Sequence, residues 1–323
     1  MISGKGATTT MREIPEHVSK CLQLALLLEV SAYPKPGNVH RTADFKGTRY
    51  EHFLASAVAL APHFAHCAAS GMAVHNEKLR LEEIEVGKAI KKAVNDVTLW
   101  QHGGNTVLGS TILLMPMAAA AGITFAEGKF SVHRLRRHIK TIVESTNSDD
   151  AVNLYEAIGM VKPGGLRTAP ELDVTQTSST TEIKKRRVSL HQVFKISAPW
   201  DSISSEWVNN YHITFDIGYP FLTQQLKETE NINTATVNTF LKILSEVPDS
   251  LIARKIGKPK AEGVSDRAKK ILENGGFTTN KSKESLIQFD KQLRTKTHKL
   301  NPGTTADITS AVLAIAILNG YRP

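Results

Sequence analysis

The sequence predicts an all-α protein, a large multi-helix bundle with its active site at helix–loop boundaries. Three observations carry this. No stretch shows the sustained apolar–polar alternation of a half-buried strand, whereas apolar residues recur at helical spacing along most of the chain. Prolines, glycines and asparagines punctuate those runs where helices would stop. One run, residues 112–123, is apolar almost throughout, as a helix buried on all sides would be.

The chain of 323 residues can bury a large core, and it reads as a flexible tail over 1–15 followed by a single helical catalytic domain over 16–323. The tail is polar and lacks an apolar secretory core. Its Gly4-Lys5-Gly6 has the wrong order and spacing for a phosphate loop. Aromatic residues make up 6%, too few to suggest a stacking surface for single-stranded nucleic acid. Two cysteines, Cys21 and Cys67, without a CxxC partner, read as buried thiols of a cytoplasmic protein. The net charge of +9 suits a polyanionic ligand. Its clusters at 133–138, 184–187 and 281–299 read as solvated helix faces, so nucleic acid is not the expected partner.

Taken in order, residues 18–29 form a leucine-rich buried helix. It stops in Glu29-Val30-Ser31-Ala32-Tyr33-Pro34-Lys35-Pro36-Gly37-Asn38-Val39-His40. Pro34 and Pro36 fix φ and Gly37 permits a turn, which makes a rigid loop presenting Glu29, Lys35, Asn38 and His40. Residues 53–72 form an alanine-rich helix, kinked or broken at Pro62. Its His63 and His66 share a face and read as packing histidines, since no third ligand is near in sequence. Residues 77–100 form an amphipathic helix ended by glycines.

Asn105-Thr106-Val107-Leu108-Gly109-Ser110-Thr111 then leads into the apolar run, whose Pro116 and small residues favour a buried central helix over a membrane span. The unpaired N–H groups and positive dipole end of such a helix suit a phosphate. Asn105, Thr106 and Ser110 are therefore candidate anion ligands, with simple capping the alternative. After a basic helix at 130–143, Asp149 or Asp150 caps another. With Asn153 and Glu156 on nearby turns, it offers an oxygen cluster for a divalent metal.

Pro163-Gly164-Gly165 ends that helix, and residues 168–181 form a surface loop or flap. Helix resumes from Ile183 with a break near Ala198-Pro199, Trp200, Trp207, Tyr211 and Phe215 serving as core anchors. Short helices cover 233–244 and 250–256, the second with Asp249 at its start and Arg254-Lys255 near its end. Amphipathic helices at 263–272 and 286–293 follow. Asn301-Pro302-Gly303 opens the terminal helix, where Asp307 is an acid that packing does not require; a favourable dipole interaction is the alternative. Pro36-Gly37, Pro163-Gly164 and Pro302-Gly303 can meet at one rim of the bundle.

The opening stretch, the Asn105-Thr106 loop with its glycine, and the segments 149–165 and 249–257 resemble the triphosphoribosyl-dephospho-CoA synthase family. So does Asn301-Pro302-Gly303 with Asp307. These blocks span nearly the whole chain in family order. The resemblance implies an all-helical pentosyltransferase that moves the triphosphoribosyl group of ATP to the 2′-hydroxyl of 3′-dephospho-CoA and releases adenine. Mg²⁺ accompanies the triphosphate.

On this reading Glu29 activates or orients the acceptor, with Asp149 the other candidate catalytic carboxylate. Lys35 and Lys255 or Arg254 contact phosphates. Asn38, Asn105 and Asn301 orient hydroxyls or phosphate oxygens, and His40, Thr106, Ser110 and Gly303 complete the substrate site. Asp149, Asp150, Glu156 and Asp307 form the pool of metal or ribose ligands. Two departures stand out: the family has His-Lys where this chain has Val107-Leu108, and an acid where it has Asn38-Val39-His40. They motivate an alternative, a related ribosyl transfer to another small-molecule acceptor. A basic helical RNA-binding or scaffold protein is the second alternative. No membrane partner is expected, and self-association stays open.

Overall fold

The computed structural model describes residues 12–166 and 168–323. Gly4-Lys5-Gly6 and most of the expected tail lie outside the described residues, and helix α1 (Ile14–Ser31) already begins within 1–15. Then come α2 (Tyr50–His75), a 3₁₀ turn at Leu81–Ile84, α3 (Val86–Trp100), α4 (Leu108–Ala126), α5 (Val132–Glu144) and α6 (Ser148–Val161). After them run α7 (Ser178–Arg186), α8 (Leu190–Ser197), α9 (Ser202–Val208), a π turn at Ile213–Gly218, α10 (Tyr219–Thr229) and α11 (Ile232–Glu246). Last are α12 (Ser250–Ile256), α13 (Lys258–Glu273), α14 (Asn280–Leu293) and α15 (Gly303–Leu318). Among the described residues strand-like pairing is limited to two isolated bridges, His40–Ala43 and Phe45–Thr48, so the fold is all-α.

The apolar run becomes α4, buried from Ser110 to Thr124 and packed among α1, α2, α3, α5 and α15. Its most apolar window is 89% buried inside the protein, so the core uses its hydropathy. A Cβ on Gly71 would lie 1.9 Å from the Ala119 carbonyl oxygen, and one on Gly122 2.1 Å from that of Ala68. Helices α2 and α4 therefore touch backbone to backbone, and larger residues there would force them apart.

A second apolar cluster joins α11, α12, α13 and α14 through Phe240, Leu244, Ile252, Ile271, Leu286 and Phe289. Helix α15 links the two clusters, with Ala306 in the second and Ile308 to Leu318 in the first.

Three local expectations are corrected. Of the kink or break expected at Pro62, the break does not occur: α2 runs on through that residue, which faces solvent. The stretch 77–100 is not one helix, because Glu85 adopts a left-handed φ of 53° between the 3₁₀ turn and α3. Trp200 is 38% exposed, whereas Trp207, Tyr211 and Phe215 are buried as core.

Candidate active site

The last turn of α1 sets the first part of the site. Glu29 lies in the last turn of α1, which ends at Ser31, and a cis Tyr33–Pro34 peptide follows. The Lys35 ammonium donates to the Glu29 carboxylate and, at 3.0 Å, to the Glu29 carbonyl. Both side chains are inside the protein, Lys35 at 1% and Glu29 at 5% exposure. Burial pushes the Glu29 carboxyl up and the Lys35 ammonium down, and each partner opposes the other's shift.

Asp290 of α14 anchors the rest of the loop. It accepts from the Gly37 amide at 2.8 Å and from Arg294 Nε at 2.9 Å, with His40 Nε2 3.4 Å away. Arg294 also donates to the Asn38 carbonyl.

Three helix N-termini meet beside this loop, each donating to a carboxylate from elsewhere in the fold or from its own cap. At the start of α4, Ser110 N and Oγ donate to Asp307 Oδ1 at 2.9 and 2.6 Å. At the start of α15, Thr305 N and Oγ donate to Asp249 Oδ2 at 2.8 and 2.9 Å. Asp249 is also the N-cap of α12, accepting from Ile252 N at 3.0 Å.

Burial pushes Asp307 up to about 7; the Ser110 hydrogen bonds oppose this and the Glu29 charge adds to it. Burial likewise raises Asp249 against its backbone donors. Gly109 provides the clearance for Asp307: a Cβ there would lie 2.1 Å from Asp307 Oδ2.

These groups close one end of a cavity of about 410 Å³ between α1, α4, α6, α8, α9, α12 and α15. Beside the carboxyl end stand Lys255, Arg254, His298 and Asn301. Arg254 pairs with Asp201, and the Pro163-Gly164-Gly165 turn packs on the Lys255 side chain. The buried Asn301 Oδ1 has no hydrogen-bond partner among the described residues, so it is an acceptor that a ligand could use. Phe45 stacks on His298, ring centroids 4.2 Å apart. The side formed by α6, α8 and α9 is largely apolar, with Trp200 partly exposed beside it.

Of the residues singled out in the sequence, Glu29, Asn38, Asn105, Thr106, Ser110, Arg254, Lys255, Asn301, Gly303 and Asp307 line this one cavity. The three Pro-Gly turns converge at it: the first contributes Asn38, the second Pro163 and Gly164, the third Gly303. Five residues lie elsewhere. Lys35 does not line the cavity; its ammonium is bonded to Glu29. His40 is buried against Asp290 and Tyr33.

The oxygen cluster of α6 does not form. Asp149 is exposed beside Lys184 at 3.2 Å, and Glu156 pairs with Lys91. Asp150 closes a capping box with Asn147 and accepts from Gly87 N at 2.8 Å. These acids turn to Lys184, Gly87 and Lys91, whereas α6 lines the cavity with Leu154, Tyr155 and Ile158. Among the described residues, no group of three or more His, Cys, Asp or Glu is placed to hold a metal ion.

Sequence reasoning passed over Asp201, Asp290, Arg294 and His298. Asp290 and Arg294 carried a signal in their i,i+4 spacing.

A family model described as ATP:dephospho-CoA triphosphoribosyl transferase matches residues 15–323. A Klebsiella pneumoniae relative named 2-(5''-triphosphoribosyl)-3'-dephosphocoenzyme-A synthase is 24% identical over 299 residues, which are 91% of this chain and 88% of that one. A relative from Streptococcus equi subsp. zooepidemicus, carrying the same name in qualified form, is 26% identical over 319 residues, 95% of this chain and 98% of that one. A crystal structure from Archaeoglobus fulgidus, assigned to the triphosphoribosyl-dephospho-coA synthases, superposes with a TM-score of 0.62 at 22% identity. It covers 85% of this chain and 100% of that chain, and carries the likeness of fold.

Proposed function

We propose how the cavity works from one premise: the chain belongs to the ATP:dephospho-CoA triphosphoribosyl transferase family, whose model matches nearly all of it. The reaction moves the triphosphoribosyl group of ATP to the 2′-hydroxyl of 3′-dephospho-CoA and releases adenine. The bond from the ribose anomeric carbon to adenine N9 breaks, its electron pair leaving with adenine. The bond from the acceptor oxygen to that carbon forms, and the acceptor loses its proton.

The observation that carries the mechanism is the buried Glu29–Lys35 pair beside Asp307 at one end of the cavity. With Glu29 ionised, Lys35 charged and Asp307 protonated, the group is neutral overall, as burial demands. Glu29 is a stronger base than an exposed carboxylate because burial raises it, and it takes the proton of the acceptor hydroxyl. Asp307 holds a proton near neutral pH and gives it to the departing adenine. Positive charge developing on the ribose between the two acids is stabilised by the Glu29 carboxylate.

Lys255, Arg254 and the Asn301 side chain receive triphosphate oxygens and ribose hydroxyls at the adjoining wall. Mg²⁺ brought with ATP would neutralise charge on the triphosphate beside Lys255 and Arg254.

We treat 16–323 as one catalytic unit, since helices of both core clusters line the cavity. A cytoplasmic location suits the buried free thiols Cys21 and Cys67.

Incubation with ATP, Mg²⁺ and dephospho-CoA, followed by mass spectrometry, tests the reading. Free adenine and the coupled product in equal amounts support it; neither species sinks it. Adenine without that product favours transfer to another acceptor, a second reading supported by Val107 and Leu108. These give the cavity an apolar wall where the family has His-Lys.

A further inference from the structure

The cavity extends well past the groups that the chemistry needs. Its far end is walled by Leu154, Ile158, Leu166, Val193, Phe194 and Ile203, with Trp200 at the rim. Two of these apolar side chains are left to solvent, Trp200 at 38% and Leu166 at 41% exposure, although most large apolar residues of the chain are covered. A ligand lying there would cover them, and a rim tryptophan is the residue type that most often anchors one.

The charged residues described as lining this end are Glu171 and Asp201, both acids, tied to Arg186 and Arg254. Both acids are thus already paired, and the wall beside them is apolar, so a polyanion buried there would lose its water without gaining partners.

On the transferase reading above, the substrates have only a few parts to place. Adenine of ATP is one bond from the reacting carbon, so it stays at the carboxyl end with Glu29 and Asp307. The adenine of the acceptor is joined to the ribose that carries the attacking hydroxyl, so it too stays near. The triphosphate is distant enough but finds few polar partners on this apolar wall. What remains is the uncharged arm beyond the acceptor's diphosphate. We propose that the apolar end of the cavity is the binding site for the pantetheine arm of the acceptor, with Trp200 and Leu166 closing over it. This makes the arm a determinant of acceptor choice, distinct from the residues that act on the ribose.

The test compares dephospho-CoA with ADP, which shares the nucleotide and lacks the arm. Calorimetric titrations use the full-length protein, Trp200→Ala and Leu166→Glu. Both substitutions are at exposed positions, and unchanged thermal unfolding checks that the fold is kept. Dephospho-CoA should bind the unsubstituted protein about tenfold or more tighter than ADP, and either substitution should erase that preference. Equal binding of the two ligands to the unsubstituted protein overturns the proposal. So does a loss of ATP affinity in the variants, which would put the leaving adenine at this end. Binding is read without turnover, so the two readings separate. If the preference and its loss are seen but no adenine is released, the arm site stands and the transferase reading falls.

Discussion

Glu29 concentrates the chemistry of this site because the fold buries it and then supplies a single cation to match. Glu29→Gln removes the charge at constant shape, so kcat should fall by about 10²–10⁴-fold, with thermal unfolding within a few degrees of the parent. Parental turnover in the purified variant would show that another group takes the proton. Lys35 gives the opposite kind of prediction. Its ammonium touches Glu29 and not the cavity, so Lys35→Ala leaves an unmatched buried carboxylate, at a cost of about 3–5 kcal/mol. Thermal unfolding should shift down by several degrees and turnover should fall together. A change confined to the KM for ATP, with stability kept, would restore Lys35 as a phosphate ligand. The sequence suggested that role because a lysine in a Pro-Gly loop looks exposed; nothing in local spacing reveals that the loop folds back over its own helix.

At the scale of elements, the site is a meeting of helix ends, and this is where sequence reading was both strongest and weakest. The bounds of α12 at 250–256 were legible, because its Asp cap, basic last turn and following glycine are local signals. The exit of α1 and the start of α15 were legible for similar reasons. The partners of those ends were not. Ser110 with Asp307, and Asp249 with Thr305, join residues remote in the chain, and no periodicity encodes them. Local reasoning therefore gathered the acids of α6 into a metal cluster that the packing against α3 disperses. It also placed Trp200 in the core, since aromatic character alone does not distinguish a core anchor from a cavity rim. The α4–α15 junction yields a specific outcome. Gly109→Ala would put a methyl group onto Asp307 Oδ2 and so displace the carboxyl or part the helices. Overpacking of this kind costs about 1–3 kcal/mol. Because Asp307 moves with it, kcat should drop more than tenfold even where the variant is fully folded. Parental kcat would mean that the Asp307 position is immaterial.

For the whole molecule, the site represents stability given up for a reactive arrangement, and the trade can be measured through pH. Asp307 is raised from 3.8 to about 7, chiefly by burial. A carboxyl whose folded value is raised binds more protons in the folded state, so its contribution to stability is greatest at low pH and is lost as pH rises toward and through about 7. The full shift corresponds to on the order of 4 kcal/mol. The groups around Asp307 are Ser110 of α4, Glu29 of α1 with its Lys35, and Asp249 at the cap of α12; none but Lys35 brings positive charge. Asp307→Asn keeps an oxygen for the Ser110 donors and can never ionise. At pH 5.5 the folded acid is neutral but the unfolded chain has already released its proton, so the variant should melt only modestly higher. At pH 8.5 the parent must hold a buried charge that the variant lacks, and the variant should melt higher by roughly 5 °C or more. The same substitution removes the proton for adenine, so the more stable protein should be the inactive one across that range. A melting difference that stays constant from pH 5.5 to 8.5 would show that Asp307 does not titrate there. It would then remove Asp307 as the acid, while leaving Glu29 and the transferase assay to stand or fall separately.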